Sequence, residues 1–129
     1  VDAQADVYDR VRAELRAGAK RGHWIWFIFP QHSALGHSQT AKHFGIGSLD
    51  EARAYLAHPV LGPRLRECAR LVSAVRGRTI NAMFGSPDDL KVRSSMTLFA
   101  EATDDDADFT AVLDKYYGGE PDPRTLDLL

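Results

Sequence analysis

"GHWIWFIFPQHSALGHS", residues 22–38, holds both tryptophans of the chain and two of its six phenylalanines. Read as a strand, it sets Trp24, Trp26 and Ile28 on one face and His23, Ile25, Phe27 and Phe29 on the other, apolar on both sides. A lone strand would leave its backbone N–H and C=O groups unpaired, and no other run in the sequence has the pattern of a partner. Pro30 disfavours the helical region at Phe29, which confines any helix to about His23–Ile28. The stretch therefore reads as a short helical turn or extended plug buried between longer helices, and the chain as all-α.

The flanking sequence supplies those helices. Upstream, Val7, Val11 and Leu15 recur at intervals of four beside Tyr8, the stripe of one amphipathic helix from about Asp2 to Ala17. Downstream, Ser38 is placed to cap a short helix through Phe44 that Gly45 ends. "SLDE" (48–51) has the spacing of a capping box, and the helix it opens should stop before Pro59. Between Pro63 and Val75, Leu65, Cys68, Val72 and Val75 continue a stripe begun at Leu61. "TINAMFG" reads as a turn or two closed by Gly85. "SPDDL" starts the next helix, with Ser86 as cap, Pro87 at the first position and two acids in the first turn. On that helix Val92, Met96 and Phe99 form a stripe that Ser95, Leu98 and Ala102 widen, so it should be central and packed on several sides. The acidic turn "DDDAD" leads to a helix carrying Phe109, Val112, Leu113 and Tyr116, which Gly118 and Gly119 terminate. Asp122 and Pro123 then open a last short helix. The expected fold is a single-domain, all-α orthogonal bundle of about six to eight short helices over residues 1–129.

Composition excludes several classes. Sixteen Lys and Arg against eighteen Asp and Glu give a formal charge of −2, which argues against nonspecific nucleic-acid binding, a process driven by cationic excess. The longest apolar run, Trp24–Phe29, is far short of the ~20 residues that cross a bilayer. The one cysteine, Cys68, cannot close an intrachain disulfide and falls on a buried stripe, so a reducing, cytoplasmic setting is expected. The chain opens on Val rather than Met, and a segment upstream is expected to be missing.

The residues that could carry chemistry lie in the plug, the loop after it and "LKVRSS" (90–95). Trp24 and Trp26, with His23, Gln31, Ser38, Lys91 and Arg93, are types that grip a planar or anionic small molecule; the plainer reading of the tryptophans is core. Lys91, Ser94 and Ser95 share a helical face, but no third group orients a base, which weakens a lysine-activated serine. His32, His37 and His43 lack the i, i+4 spacing of helical metal ligands. No metal and no cofactor is expected. Glu101, on the central helix, is the acid expected to be buried and in need of a partner.

"GHWIWFIFPQ", "ALGHS", "SLDEARAYLAHPVLGPRLREC", "FGSPDDLKVRSSMTLF" and "YYGGEPDPRTLDLL", in that order, resemble the bacterial domain-of-unknown-function family 1810. Some of its members carry the label calpastatin, which suits a disordered, repeat-rich inhibitor rather than a chain patterned throughout. The family typically shows Trp-Met-Trp where this sequence has Trp24-Ile25-Trp26, a volume-conserving exchange. The resemblance implies a small all-helical domain and transfers no catalytic residue. It marks His23, Trp24, Trp26, Pro30, Gln31, Gly36, Ser38, Lys91, Arg93 and Ser94 as motif positions. Two functions are expected on these grounds. One is a small-molecule or nucleotide-type binding pocket, with hydrolysis of ADP-ribose-like groups as one version. The other is a noncatalytic protein-contact module using the plug and the Tyr116, Tyr117 surface.

Overall fold

The computed structural model describes residues 2–35 and 43–129. Its helices are α1 (Asp2–Ala5), α2 (Tyr8–Ala17), α3 (Ile25–Ile28), α4 (Leu49–Ala57), α5 (Leu61–Ala74), α6 (Ile80–Phe84), α7 (Asp88–Ala102), α8 (Ala107–Tyr116) and α9 (Pro123–Leu128), with a 3₁₀ turn at Ser33–Leu35. Among the described residues there is no strand, and the fold is all-α.

The plug is the single helical turn α3. Ile28 N–H bonds Trp24 C=O at 3.2 Å and Phe29 N–H bonds Ile25 C=O at 3.0 Å, after which Phe29 leaves the helical region ahead of Pro30. Trp24, Ile25, Ile28 and Phe29 are buried, each such side chain contributing about 1.5–3 kcal/mol relative to exposure. Trp24 meets Phe84 edge-on at 6.2 Å and Phe29 at 6.3 Å. The extended residues after Pro30 do find one backbone partner. Ile46 N–H bonds Gln31 C=O at 3.0 Å and Ser33 N–H bonds Ile46 C=O at 2.9 Å, an isolated parallel bridge between His32 and Ile46.

As its wide apolar surface predicts, α7 is central. Six consecutive residues, Ser94–Phe99, are buried, and the helix touches α3, α4, α6, α8 and α9. Where α4 gives way to α5 the two backbones approach tightly. A Cβ on Gly62 would stand 2.0 Å from the Leu56 carbonyl oxygen, so only glycine allows this approach. His58 ends α4 in extended conformation before Pro59, and its Nδ1 accepts the Val60 and Leu61 N–H groups at 3.1 and 3.2 Å. Its ring thus caps the start of α5.

Several local expectations need correction. The N-terminal stripe is two helices, because a tight turn closed by Val7 N–H on Gln4 C=O (3.1 Å) breaks it. Gln4 is thereby left to bond Phe27 C=O at 2.7 Å and to hold α1 on the plug. Ser86 does not cap α7, where Pro87 occupies the N-cap position. The first-turn amides are met instead by Gly85 C=O, which accepts from Asp89, and by the Asp89 carboxylate and Pro87 C=O, which accept from Leu90. Half of the capping box forms: Glu51 N–H bonds Ser48 Oγ at 3.1 Å, while the Glu51 carboxylate reaches one residue further back, to Gly47 N–H at 2.7 Å. Glu101 is exposed, because it lies on the outer face of the last turn of α7, between half-buried Ala100 and buried Ala102. The helix expected from Ser38 begins outside the described residues; His43 and Phe44 are helical and Ile46 is buried behind them.

Candidate functional site

The acid that is buried is Glu14, on α2, 9% exposed. Its carboxylate accepts the Arg21 and Gly22 N–H groups and the Trp24 indole N–H, the last at 3.1 Å. Burial pushes its carboxyl up, but these three donors and the nearby Lys20 outweigh burial and hold it below its ordinary value. Glu14 ties the basic turn to the plug, and with its indole N–H engaged Trp24 is a core residue.

An open pocket of about 360 Å³ lies between α7, the loop after the plug and the C-terminal segment. Gln31 and Leu35 border it from the loop; Pro87, Leu90, Lys91, Arg93 and Ser94 from α7 and its approach; Asp122 and Arg124 from the start of α9. On the apolar border Leu90 is 57% accessible, while Leu35 is buried. Lys91 stands over the Trp26 ring, 5.4 Å from its centroid, and 3.5 Å from Asp88. Asp88 also pairs with Lys20 at 3.0 Å, and Lys20 in turn lies 5.4 Å from the Trp24 ring centroid. One carboxylate therefore serves two ammonium groups, each resting on one tryptophan.

The C-terminal border is fixed by three polar side chains of α7. Arg93 donates to Glu120 and Pro121 C=O, each at 3.0 Å. Thr97 Oγ1 accepts Asp122 N–H at 2.8 Å, and Ser94 Oγ donates to Asp122 Oδ2 at 2.9 Å. The same Oδ2 accepts from Thr125 Oγ1 at 2.6 Å and from Thr125 N–H at 3.3 Å, capping α9. Burial raises the Asp122 carboxyl, but the Thr125 and Ser94 hydroxyls, the Thr125 amide and the Arg93 charge outweigh it and leave it below its ordinary value. Asp122 is thus ionised at neutral pH.

Of the residues expected at a site, the structure brings Gln31, Lys91 and Arg93 to this pocket and sets Trp26, half-buried, beneath Lys91. Trp24 does not line it. His23 is exposed and also absent from its border, and Ser38 lies outside the described residues. Lys91 and Ser94 do not form a catalytic pair, since the Ser94 hydroxyl faces Asp122 and the Leu90 C=O. Asp122 reads from sequence only as a helix start and Arg124 carries no signal of its own; their place at the pocket depends on α9 folding back onto α7. The local trace of that contact is the polar set Arg93, Ser94 and Thr97 at the middle of the central helix. Among the described residues, no group of three or more His, Cys, Asp or Glu could hold a metal ion. His32, which is buried, instead accepts the Ala34 N–H on Nδ1 at 3.1 Å.

The whole chain, residues 1–129, is matched by the profile of a protein family described as "Protein of unknown function (DUF1810)". Among solved structures it is similar to the crystal structure of the conserved hypothetical protein Rv1873 from Mycobacterium tuberculosis. The two share 62% sequence identity with a TM-score of 0.99, over 100% of this chain and 92% of the mycobacterial one. No curated protein matches. Matched from end to end by the profile, and with a relative of this identity sharing its fold, the chain belongs to the DUF1810 family.

Proposed function

We propose that the protein binds a small anionic molecule in the pocket between α7 and the start of α9. The observation that carries this reading is the convergence of Lys91, Arg93 and Arg124 with the Gln31 amide around one open cavity. Its volume falls within the range of roughly 300–1,000 Å³ usual for ligand sites. The aromatic part of the expected site plays a different role: neither tryptophan borders the cavity, and the Trp26 face is occupied by Lys91. A nucleotide-type ligand stacked on indole, and with it hydrolysis of ADP-ribose-like groups, therefore has weaker support than anion binding alone. The protein-contact reading is weaker as well, because the Tyr116 hydroxyl donates to Val72 C=O and that of Tyr117 to Asp89 C=O, which turns both inward. A cytoplasmic setting belongs to the proposal, supported by the buried free thiol of Cys68. No described helix is long and apolar enough to cross a membrane.

Because Trp26 lies directly under Lys91, its fluorescence should report an anion arriving at that ammonium. Titration with a panel of organic phosphates and carboxylates should perturb the emission. Lys91→Ala and Gln31→Ala should weaken the response while leaving the melting temperature nearly unchanged, as expected of half-exposed residues outside the core. Silence across the whole panel would remove the proposal.

A further inference from the structure

The border of the pocket is not uniformly basic, and its one carboxylate narrows the ligand. All three hydrogen bonds to the Asp122 carboxylate end on Oδ2; among the described residues Oδ1 accepts none, although Asp122 lines the cavity. An ionised oxygen without a donor at a ligand site repels a bare anion and rewards a ligand that brings an O–H. On the basic side, Lys91 shares Asp88 with Lys20, and Arg124 forms no ion pair among the described residues. Arg93, by contrast, is engaged by the Glu120 and Pro121 carbonyls and lies 3.8 Å from the Glu120 carboxylate. Arg124, and Lys91 with its one carboxylate shared, are thus the least satisfied cationic heads at the border, and such a pair matches a dianionic phosphate better than a single carboxylate. The Gln31 amide adds a donor and an acceptor suited to further hydroxyls.

Resting on the binding reading above, we infer that the pocket takes a small sugar phosphate, its phosphate held by Lys91 and Arg124 and a hydroxyl donated to Asp122 Oδ1. Asp122 is then the residue that separates a phosphorylated polyol from other anions of equal charge.

Two probes of matched length and charge test this by isothermal titration calorimetry: ribose 5-phosphate, and pentyl phosphate, which lacks the hydroxyls. Ribose 5-phosphate should bind about tenfold or more tighter, the order of one hydrogen bond to a charged group. Asp122→Asn keeps a residue type that caps helices, and a melting curve verifies that it folds. In this variant ribose 5-phosphate should lose about tenfold in affinity, whereas pentyl phosphate, relieved of a like charge, should bind unchanged or more tightly. Equal or tighter binding of pentyl phosphate to the wild type would overturn the sugar-phosphate assignment and leave anion binding standing. A parallel loss of both ligands in folded Asp122→Asn would overturn the role of Asp122. Binding of neither probe to the wild type would overturn the assignment, and the fluorescence panel decides separately whether the anion site survives.

Discussion

Glu14 shows how a single residue can be misjudged from local pattern. Glu101 is the obvious candidate for a buried acid because it follows a long apolar stretch of α7, but burial ends at Phe99 and resumes only at Ala102. Glu14 looks like a solvent-facing residue of an amphipathic helix, and the donors that justify its burial lie seven, eight and ten residues along the chain. Since the folded state lowers its pKa below the unfolded value, Glu14 contributes stability that is complete at neutral pH. That contribution begins to fade near the unfolded carboxyl pKa, about 4.3, and is lost as pH falls through the folded value. Asp122 acts with the same sign. Glu14→Gln should therefore cost about 1–3 kcal/mol at pH 7 and cost progressively less in acid, so that urea midpoints of variant and wild type converge as pH falls below about 4. A pH-independent difference would assign the loss to packing alone.

Among the elements, local punctuation placed most helix ends, though not the capping atoms at Ser86 or the full box at Ser48. Gly118 and Gly119, both at positive φ, end α8 where the sequence says they should. Asp122 caps α9 through its side chain as expected, and Thr79, which the sequence reading does not single out, caps α6. What pattern could not supply is the closure of one element by another. Lys115 and Tyr116 of α8 reach the last carbonyls of α5, with Tyr116 Oη 2.6 Å from Val72 C=O and Lys115 Nζ 2.6 Å from Ser73 C=O. The docking of α9 is of this kind too. Its leucines Leu126 and Leu128 remain exposed, and Thr125 is its buried residue, so polar contacts from α7 hold it. Thr97→Val removes the acceptor for Asp122 N–H, and an unpartnered buried amide costs about 1–3 kcal/mol. Hydrogen exchange of residues 122–128 should accelerate at least fivefold, an effect of about 1 kcal/mol, while amides of α5 and α8 keep their wild-type protection. Uniform acceleration across the chain would show instead that α9 is integral to the global fold.

On the scale of the whole molecule, the all-α assignment came from one negative inference: a doubly apolar run with no partner strand must be helical or extended and internal. The structure makes it helical, and the bundle closes over it. Cys68 sits in the same core, fully buried, its thiol pushed up to about 12 by burial. A thiol-specific reagent at pH 8 should therefore leave the native protein unmodified and label it at a rate that rises with urea in step with global unfolding. Labelling before the unfolding transition would reveal a local opening beside α5. Pocket placement lay beyond pattern because it joins chain positions ninety residues apart, from Gln31 to Arg124. Asp88, finally, would make the proposed anion binding a counter-ion exchange. An anion that engages Lys91 must compete with a carboxylate already 3.5 Å away, and the displaced Asp88 still has Lys20 at 3.0 Å. The Coulomb gain is the difference between two pairings rather than the whole of one. With a screening length of about 8 Å at 0.15 M salt, the proposed binding should weaken as ionic strength or the concentration of buffer anions rises.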